Sequence, residues 1–167
     1  MPAIAGSFLI ARKVLQDPNF RQAVVLMLQH SDEGAFGLVV NRPGKVEGLP
    51  FPVYAGGPCE SPGMILLHGH EDWLDPSAES PKPEVARGIY MGDVSCFKRI
   101  KDLEADELPR FRVYAGYAGW GPEQLEKEIA SGAWALAGAN DRLLFDYPVE
   151  ELWLHLLPPT IPHPSVN

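Results

Sequence analysis

The groups in this chain with the types and spacing for chemistry are its histidines and one glycine-rich turn. Imidazole titrates near neutral pH, so His30 and His68, each closing an apolar stretch that reads as a strand, are the candidates for a general acid or base. A histidine at a strand end is more often a hydrogen-bonded structural residue. In His68-Gly69-His70-Glu71-Asp72 the pattern H-x-H-x-D matches the opening of some dinuclear zinc sites, and two histidines two apart project from one side of an extended strand. The pattern then breaks. Trp73 stands where the next histidine would be needed, and no other histidine follows until His155. The sequence therefore identifies no metal site, no cofactor motif and no catalytic constellation.

The glycine-rich turn is Gly116-Tyr117-Ala118-Gly119-Trp120-Gly121, followed by a punctuated helix expected over Pro122–Ser131. Proline suits a first helical position because its missing N–H would be unpaired there, and Gly132 offers the left-handed backbone that ends a helix. Leu125 and Ile129, four apart, define the face that docks on a sheet. Glycines before a helix N-terminus suggest a phosphate cradle. Here the spacing is not that of a nucleotide-binding loop, no lysine or arginine lies in the turn, and Glu123 would repel an anion. The competing reading is a tight strand-to-helix turn, with Tyr117 and Trp120 as packing residues and Trp134 in the core.

A length of 167 residues suits one domain, expected over 1–157, that buries roughly 70% of its extended surface, with a disordered tail over 158–167. Apolar residues at 46% and charged residues at 22% are ordinary for a soluble globular protein, and no apolar run reaches the length of a membrane span. No basic-then-apolar leader opens the chain, so the cytoplasm is the expected compartment. Cys59 and Cys96 are too few and too far apart for a disulfide framework or a zinc site. A net charge of −8 disfavours contact with nucleic acid or anionic lipid, and the short basic run Lys98, Arg99, Lys101 reads as a solvated helix face.

Strands are expected over 6–11, over 23–30 as a central strand buried on both faces, and over 35–41 after a four-residue turn at 31–34. Pro18 is expected to open a short helical turn. Strands then follow over 53–55 and 64–68, a mobile proline-rich loop over 75–84, and a strand over 85–91. A helix capped by Asp93 or Ser95 carries Phe97, Ile100 and Leu103 at helical spacing. The strand 110–114 feeds the glycine-rich turn, 135–141 reads as turn, 142–145 as a last strand, and 149–157 as an amphipathic helix stopped by Pro158-Pro159. Asn41-Arg42-Pro43 and Gly56-Gly57-Pro58 are turns at strand ends. Pro43 holds Arg42 extended and stops the ladder, so Asn41 and Arg42 are offered either to a ligand or, for Arg42, to a carboxylate that pins the loop.

Three segments carry a family resemblance: residues 9–43, with the QDP-x-F turn, His30 and Asn41-Arg42-Pro43; the Gly56-Gly57-Pro58 turn with the following strand to Leu67-His68; and Gly116–Leu125, GYAGWGPEQL. Together they resemble the bacterial AlgH/YqgE family, whose biochemical activity is not established. The resemblance spans about residues 6–153. It implies an α+β fold with a bent, bifurcated, mostly antiparallel sheet forming a pseudo-barrel and helices packed outside. Members are often labelled transcriptional regulators. Nothing in this sequence supports direct DNA binding, since it has no helix-turn-helix pattern and its charge has the wrong sign. Two functions are expected from the residues. One is a non-enzymatic binding or regulatory module, for an unknown protein or small-molecule partner, with Asn41, Arg42, Gly56, Gly57, Pro58, Tyr117 and Trp120 on one surface. The other is an enzyme with a small-molecule pocket at the strand ends and His30 or His68 as acid or base.

Overall fold

A computed structural model describes residues 4–44, 48–49, 51–74, 84–101 and 110–158. Ten strands in this part of the chain divide between two five-stranded sheets. In the first, β1 (Ser7–Ala11) lies between β10 (Trp134–Gly138) and β2 (Val24–Ser31), and β2 is followed by β3 (Gly34–Val39) and β9 (Ala118–Trp120), every pairing antiparallel. The second runs β4 (Val53–Ala55), β8 (Phe111–Ala115), β5 (Ile65–His68), β7 (Ile89–Met91), β6 (Glu84–Ala86). Its β4–β8 pair is parallel and the rest antiparallel. The fold is thus α+β and mostly antiparallel as expected, but the strands form two sheets and do not close a barrel.

Side-chain alternation along the strands explains the layering. Phe8 and Ile10 of β1, Val24 and Leu26 of β2, and Leu38 of β3 point to a shared core with Leu67 of β5, Ile89 of β7 and Tyr114 of β8, so the sheets face each other across it. The opposite residues of the first sheet, Leu9, Val25, Met27 and Val39, meet a second cluster under helix α2 (Gln124–Ala130), which contributes Leu125. Leu66, Phe111 and Val113 on the outer face of the second sheet pack on Cys96 and Ile100 of helix α1 (Val94–Lys101). Both faces of β2 are buried from Val24 to Met27, as its continuous apolar run predicts. A bulge follows at Met27/Gln29, and the strand then alternates toward solvent. Helix α3 (Leu152–Leu156) is tethered to β1 by Trp153 Nε1, which donates to the Ala11 carbonyl at 2.7 Å.

The structure corrects several sequence expectations. Helix α2 starts at Gln124 and not at Pro122, because Glu123 takes a left-handed φ of 64° and the Gln124 side chain reaches back to accept the Gly121 N–H at 3.0 Å. The glycine-rich turn contains the edge strand β9. The stretch 85–91 is a hairpin turning at Gly88, whose φ is +75°. Of residues 135–141, read as turn for their small side chains, the first four belong to β10 because β1 offers them an antiparallel ladder. The expected strand 142–145 is a π-helical turn over Arg142–Asp146, opened by Asn140 Oδ1 accepting the Leu143 N–H at 2.9 Å. The β2–β3 turn is the two residues Asp32-Glu33, and the helical turn at Pro18 is reduced to hydrogen-bonded turns closing on the Asp17 carbonyl. Asp93 caps α1 as expected, its Oδ1 accepting the Ser95 and Cys96 N–H groups. The loop at 75–83, Leu103 and the tail at 159–167 lie outside the described residues.

Candidate functional site

Two of the motifs singled out from the sequence meet backbone to backbone. The Val39 N–H donates to the Gly56 carbonyl and the Gly56 N–H to the Ala115 carbonyl, both at 2.8 Å, so Gly56 joins the end of β3 to the end of β8. Cys59 and Tyr117 then exchange a pair of 2.9 Å bonds. Glycine is required on both sides of this seam. A Cβ on Gly56 would lie 2.3 Å from the Gly116 carbonyl oxygen, one on Gly57 2.2 Å from that of Tyr117, and one on Gly116 2.7 Å from that of Gly57. The Gly116 N–H, turned outward, donates to Ser61 Oγ at 3.1 Å. Beside the seam is an open depression of about 520 Å³, lined by Pro58, Cys59, Glu60, Met64 and the backbone of Gly57 and Gly116.

The other nominated residues do not share this depression. Asn41 Oδ1 accepts the Val24 N–H and its Nδ2 donates to the Gln22 carbonyl, both at 2.9 Å. The Arg42 guanidinium donates to the carbonyls of Asn19 and Arg21. The arginine that could have met a ligand or a carboxylate instead clamps the backbone of the β1–β2 connection, and Asn41 ties that connection to β2. Burial pulls the Arg42 guanidinium below its ordinary range, with the Asp17 charge opposing. Tyr117 stands edge-on to Phe36, ring centroids 6.1 Å apart. Trp120 is only 6% exposed, stacks on Phe20 at 5.8 Å and belongs to the core under α2.

A residue that sequence reasoning missed organises this last cluster. Glu128 Oε1 accepts the indole N–H of Trp120 at 3.1 Å and that of Trp134 at 2.9 Å, while its Oε2 accepts from Gln124 at 3.2 Å. The signal was present: two tryptophans flank the helix, and buried indoles need acceptors. Glu128 sits on the helix between them.

The histidines have separate surroundings. His30 Nε2 lies 3.2 Å from Glu126 Oε1, a link between β2 and α2. His68 is fully buried on the outer face of the second sheet, with the rings of Trp73, Tyr90 and His70 at 5.0, 5.7 and 6.2 Å. Its Nδ1 accepts the His70 N–H at 3.1 Å, which assigns the ring proton to Nε2, an atom with no partner among the described residues. Burial first, then the neighbouring His70 and Arg99, outweigh Asp93 and Asp72 and lower the His68 pKa to about 4. At neutral pH it is an uncharged, enclosed imidazole. His70 stacks on Trp73 at 4.1 Å, and Arg99 lies over the same indole at 5.9 Å. Among the described residues no three His, Cys, Asp or Glu side chains are placed to hold a metal ion. Neither His30 nor His68 lines the depression beside the seam.

Residues 8–159 match the model of a family described as DUF179, AlgH-like. A UPF0301 protein of Myxococcus xanthus is 34% identical over 168 residues, covering 92% of this chain and 88% of its own length. One from Hahella chejuensis is 34% identical over 90% of this chain and 85% of its own. Among solved structures, a Corynebacterium diphtheriae protein, DIP2367, superposes with a TM-score of 0.73 at 22% identity, over 95% of this chain and 89% of that one. The solution structure of the AlgH protein from Pseudomonas aeruginosa superposes with a TM-score of 0.67 at 29% identity, over 90% and 84% respectively. No helix among the described residues is long and apolar enough to cross a membrane.

Proposed function

Since this chain belongs to the AlgH-like family, we propose that it is a non-enzymatic binding or regulatory module, one domain over 1–157, that works by contact with a protein partner. The contact surface is the depression beside the Gly56–Gly116 seam. The observation that supports this reading is the division of labour among the signature residues. Asn41, Arg42, Gly56, Gly57 and Trp120 are spent on backbone clamps, close packing and core, and they leave an open, shallow surface at the seam. A shallow surface with Met64 at its rim, 39% exposed, suits a protein loop better than an enclosed small molecule. The enzyme alternative loses its acid-base candidates from this surface, because His30 faces Glu126 and His68 is enclosed against Trp73. Direct DNA binding is disfavoured by the charge of −8. The unpaired thiols of Cys59 and Cys96 suit a reducing compartment, in keeping with a cytoplasmic location.

The test is site-specific photo-cross-linking in the native host from position 63, where a Cβ meets nothing. A discrete cross-linked protein that disappears when Met64→Glu is added supports the reading. No such species, together with a metabolite whose thermal stabilisation vanishes in Gly63→Arg, would replace it with the small-molecule reading.

A further inference from the structure

At the opposite end of β8 from the seam lies a polar cleft of about 430 Å³, bounded by Arg87 of the β6–β7 hairpin and by Asn140, Asp141 and Arg142 after β10. Backbone pairing fixes its two walls. The Asp141 N–H donates to the Arg87 carbonyl at 3.0 Å, and Arg87 and Asn140 form an isolated parallel bridge. The walls are close: a Cβ on Gly88 would lie 2.8 Å from Asp141 Oδ1.

The charges in this cleft are not balanced within it. Asp141 Oδ2 accepts from Arg110 Nη2 at 2.9 Å, and Asp146 accepts from Nε and Nη2 of the same guanidinium at 3.2 Å each. Both carboxylates are therefore committed to Arg110. Arg87 and Arg142 have neither a hydrogen bond nor an ion pair from their side chains among the described residues. Asn140 spends its Oδ1 on the Leu143 N–H, which leaves the donors of its Nδ2 free. The cleft thus presents two exposed guanidinium forks and an amide donor, and Asp141, the one carboxylate in its lining, shares the Arg110 guanidinium with Asp146. In a chain with 22 acidic and 14 basic residues, two arginines that line one cleft with no ion pair of their own among the described residues are a departure, and with Arg110 they outnumber Asp141 and Asp146.

We propose that this cleft binds a small polyanion bearing phosphate or carboxylate groups, held by Arg87 and Arg142 with Asn140 as a third donor. Guanidinium is suited to both oxyanions because its planar fork gives two parallel N–H···O bonds, which a lysine would not. The volume lies at the small end of the range for metabolite pockets. A long polyphosphate strand does not fit this reading, since the positive charge is local and the chain as a whole is strongly negative. The site shares no lining residue with the depression at the seam, so it stands whether or not that surface docks a protein.

The experiment is isothermal titration calorimetry of the full chain at low ionic strength with pyrophosphate and, in parallel, citrate, which separates phosphate from carboxylate recognition. Saturable binding of either anion is expected. Loss of one charge-assisted contact pair in Arg142→Gln should weaken it about tenfold or more, and Arg87→Gln/Arg142→Gln should abolish it. Both arginines are exposed, so the variants should keep the parent melting temperature. Lys98→Gln/Lys101→Gln removes the same two charges from α1 and should leave binding intact. The proposal is overturned if neither anion binds saturably, or if the lysine pair weakens binding as much as the arginine pair.

Discussion

Lowering the pH from 7 to 5 should destabilise this protein chiefly through His68. Its folded pKa of about 4 lies below the ordinary 6.5. The unfolded chain therefore takes up this proton more readily than the folded one, and stability contributed by neutral His68 is complete above about pH 6.5 and is lost as the pH falls toward 4. With those two values, the linkage relation gives a penalty of about 0.2 kcal/mol at pH 7 and about 2 kcal/mol at pH 5. For a domain of this size that is a drop in melting temperature of roughly 4–8 °C. The groups facing the ring are Trp73 and Tyr90, the bases His70 and Arg99, and the acids Asp72 and Asp93. His70 is also lowered, by burial first, and acts in the same direction. Asp93 and Asp141 are held below the usual carboxylate value, so their stabilisation is lost only under more acid conditions and leaves this window clear. The assay is urea unfolding at pH 7 and pH 5 of the parent and of His68→Phe. That variant fills the aromatic enclosure but leaves the His70 N–H without its acceptor, a cost that does not depend on pH. The parent should lose about 1.5–2 kcal/mol more than the variant between the two pH values. Equal losses in both, within about 0.5 kcal/mol, would refute the argument.

Other substitutions test the packing logic. Gly57→Ala should cost about 3 kcal/mol, because its Cβ meets the Tyr117 backbone and not a side chain that can move aside; chemical denaturation measures it, and a loss under about 1 kcal/mol would mean that the seam yields. Glu128→Ala should cost about 2–4 kcal/mol by orphaning two indole donors, while Glu128→Gln, which keeps an acceptor, should cost less than half of that. Arg42→Lys should lose about 1 kcal/mol and speed amide exchange across 19–22, because an ammonium cannot replace the fork on two carbonyls.

The sequence showed most clearly those elements whose local signals and tertiary fate agree. The β-branched run of β2 and the capped, amphipathic α1 are such cases. Legibility failed where the partner strand decides. Trp134–Gly138 is rich in alanine and glycine and carries little intrinsic strand preference, yet five residues of β1 pair with it. Arg142–Phe145 reads as a strand from its apolar pair Leu143-Leu144, but the Asn140 side chain opens a helical turn. Trp120 was legible only as a choice between a packing residue and part of a binding surface, and the stack on Phe20, one hundred residues earlier in the chain, places it in the core. The Arg87–Arg142 cleft could not be read at all, because its walls are 55 residues apart and nothing local to either marks them as neighbours.

The resemblance and the two proposed binding surfaces are carried by different residues for a physical reason. Two sheets must be joined across a core, and where β3, β4 and β8 end together there is room for backbone alone. Glycine at 56, 57 and 116 is a packing requirement of that junction. Asn41 and Arg42 are a requirement of the connection they clamp, whose Gln22 adopts a φ of 59° that a free loop would rarely hold. Motifs of this kind identify a fold with high specificity while disclosing no chemistry. Among the described residues, side chains on which the fold makes no claim include the guanidiniums of Arg87 and Arg142 and the rim of the depression at Glu60 and Met64. Substitutions there should leave stability nearly unchanged and alter binding, whereas substitutions in the signature should do the reverse.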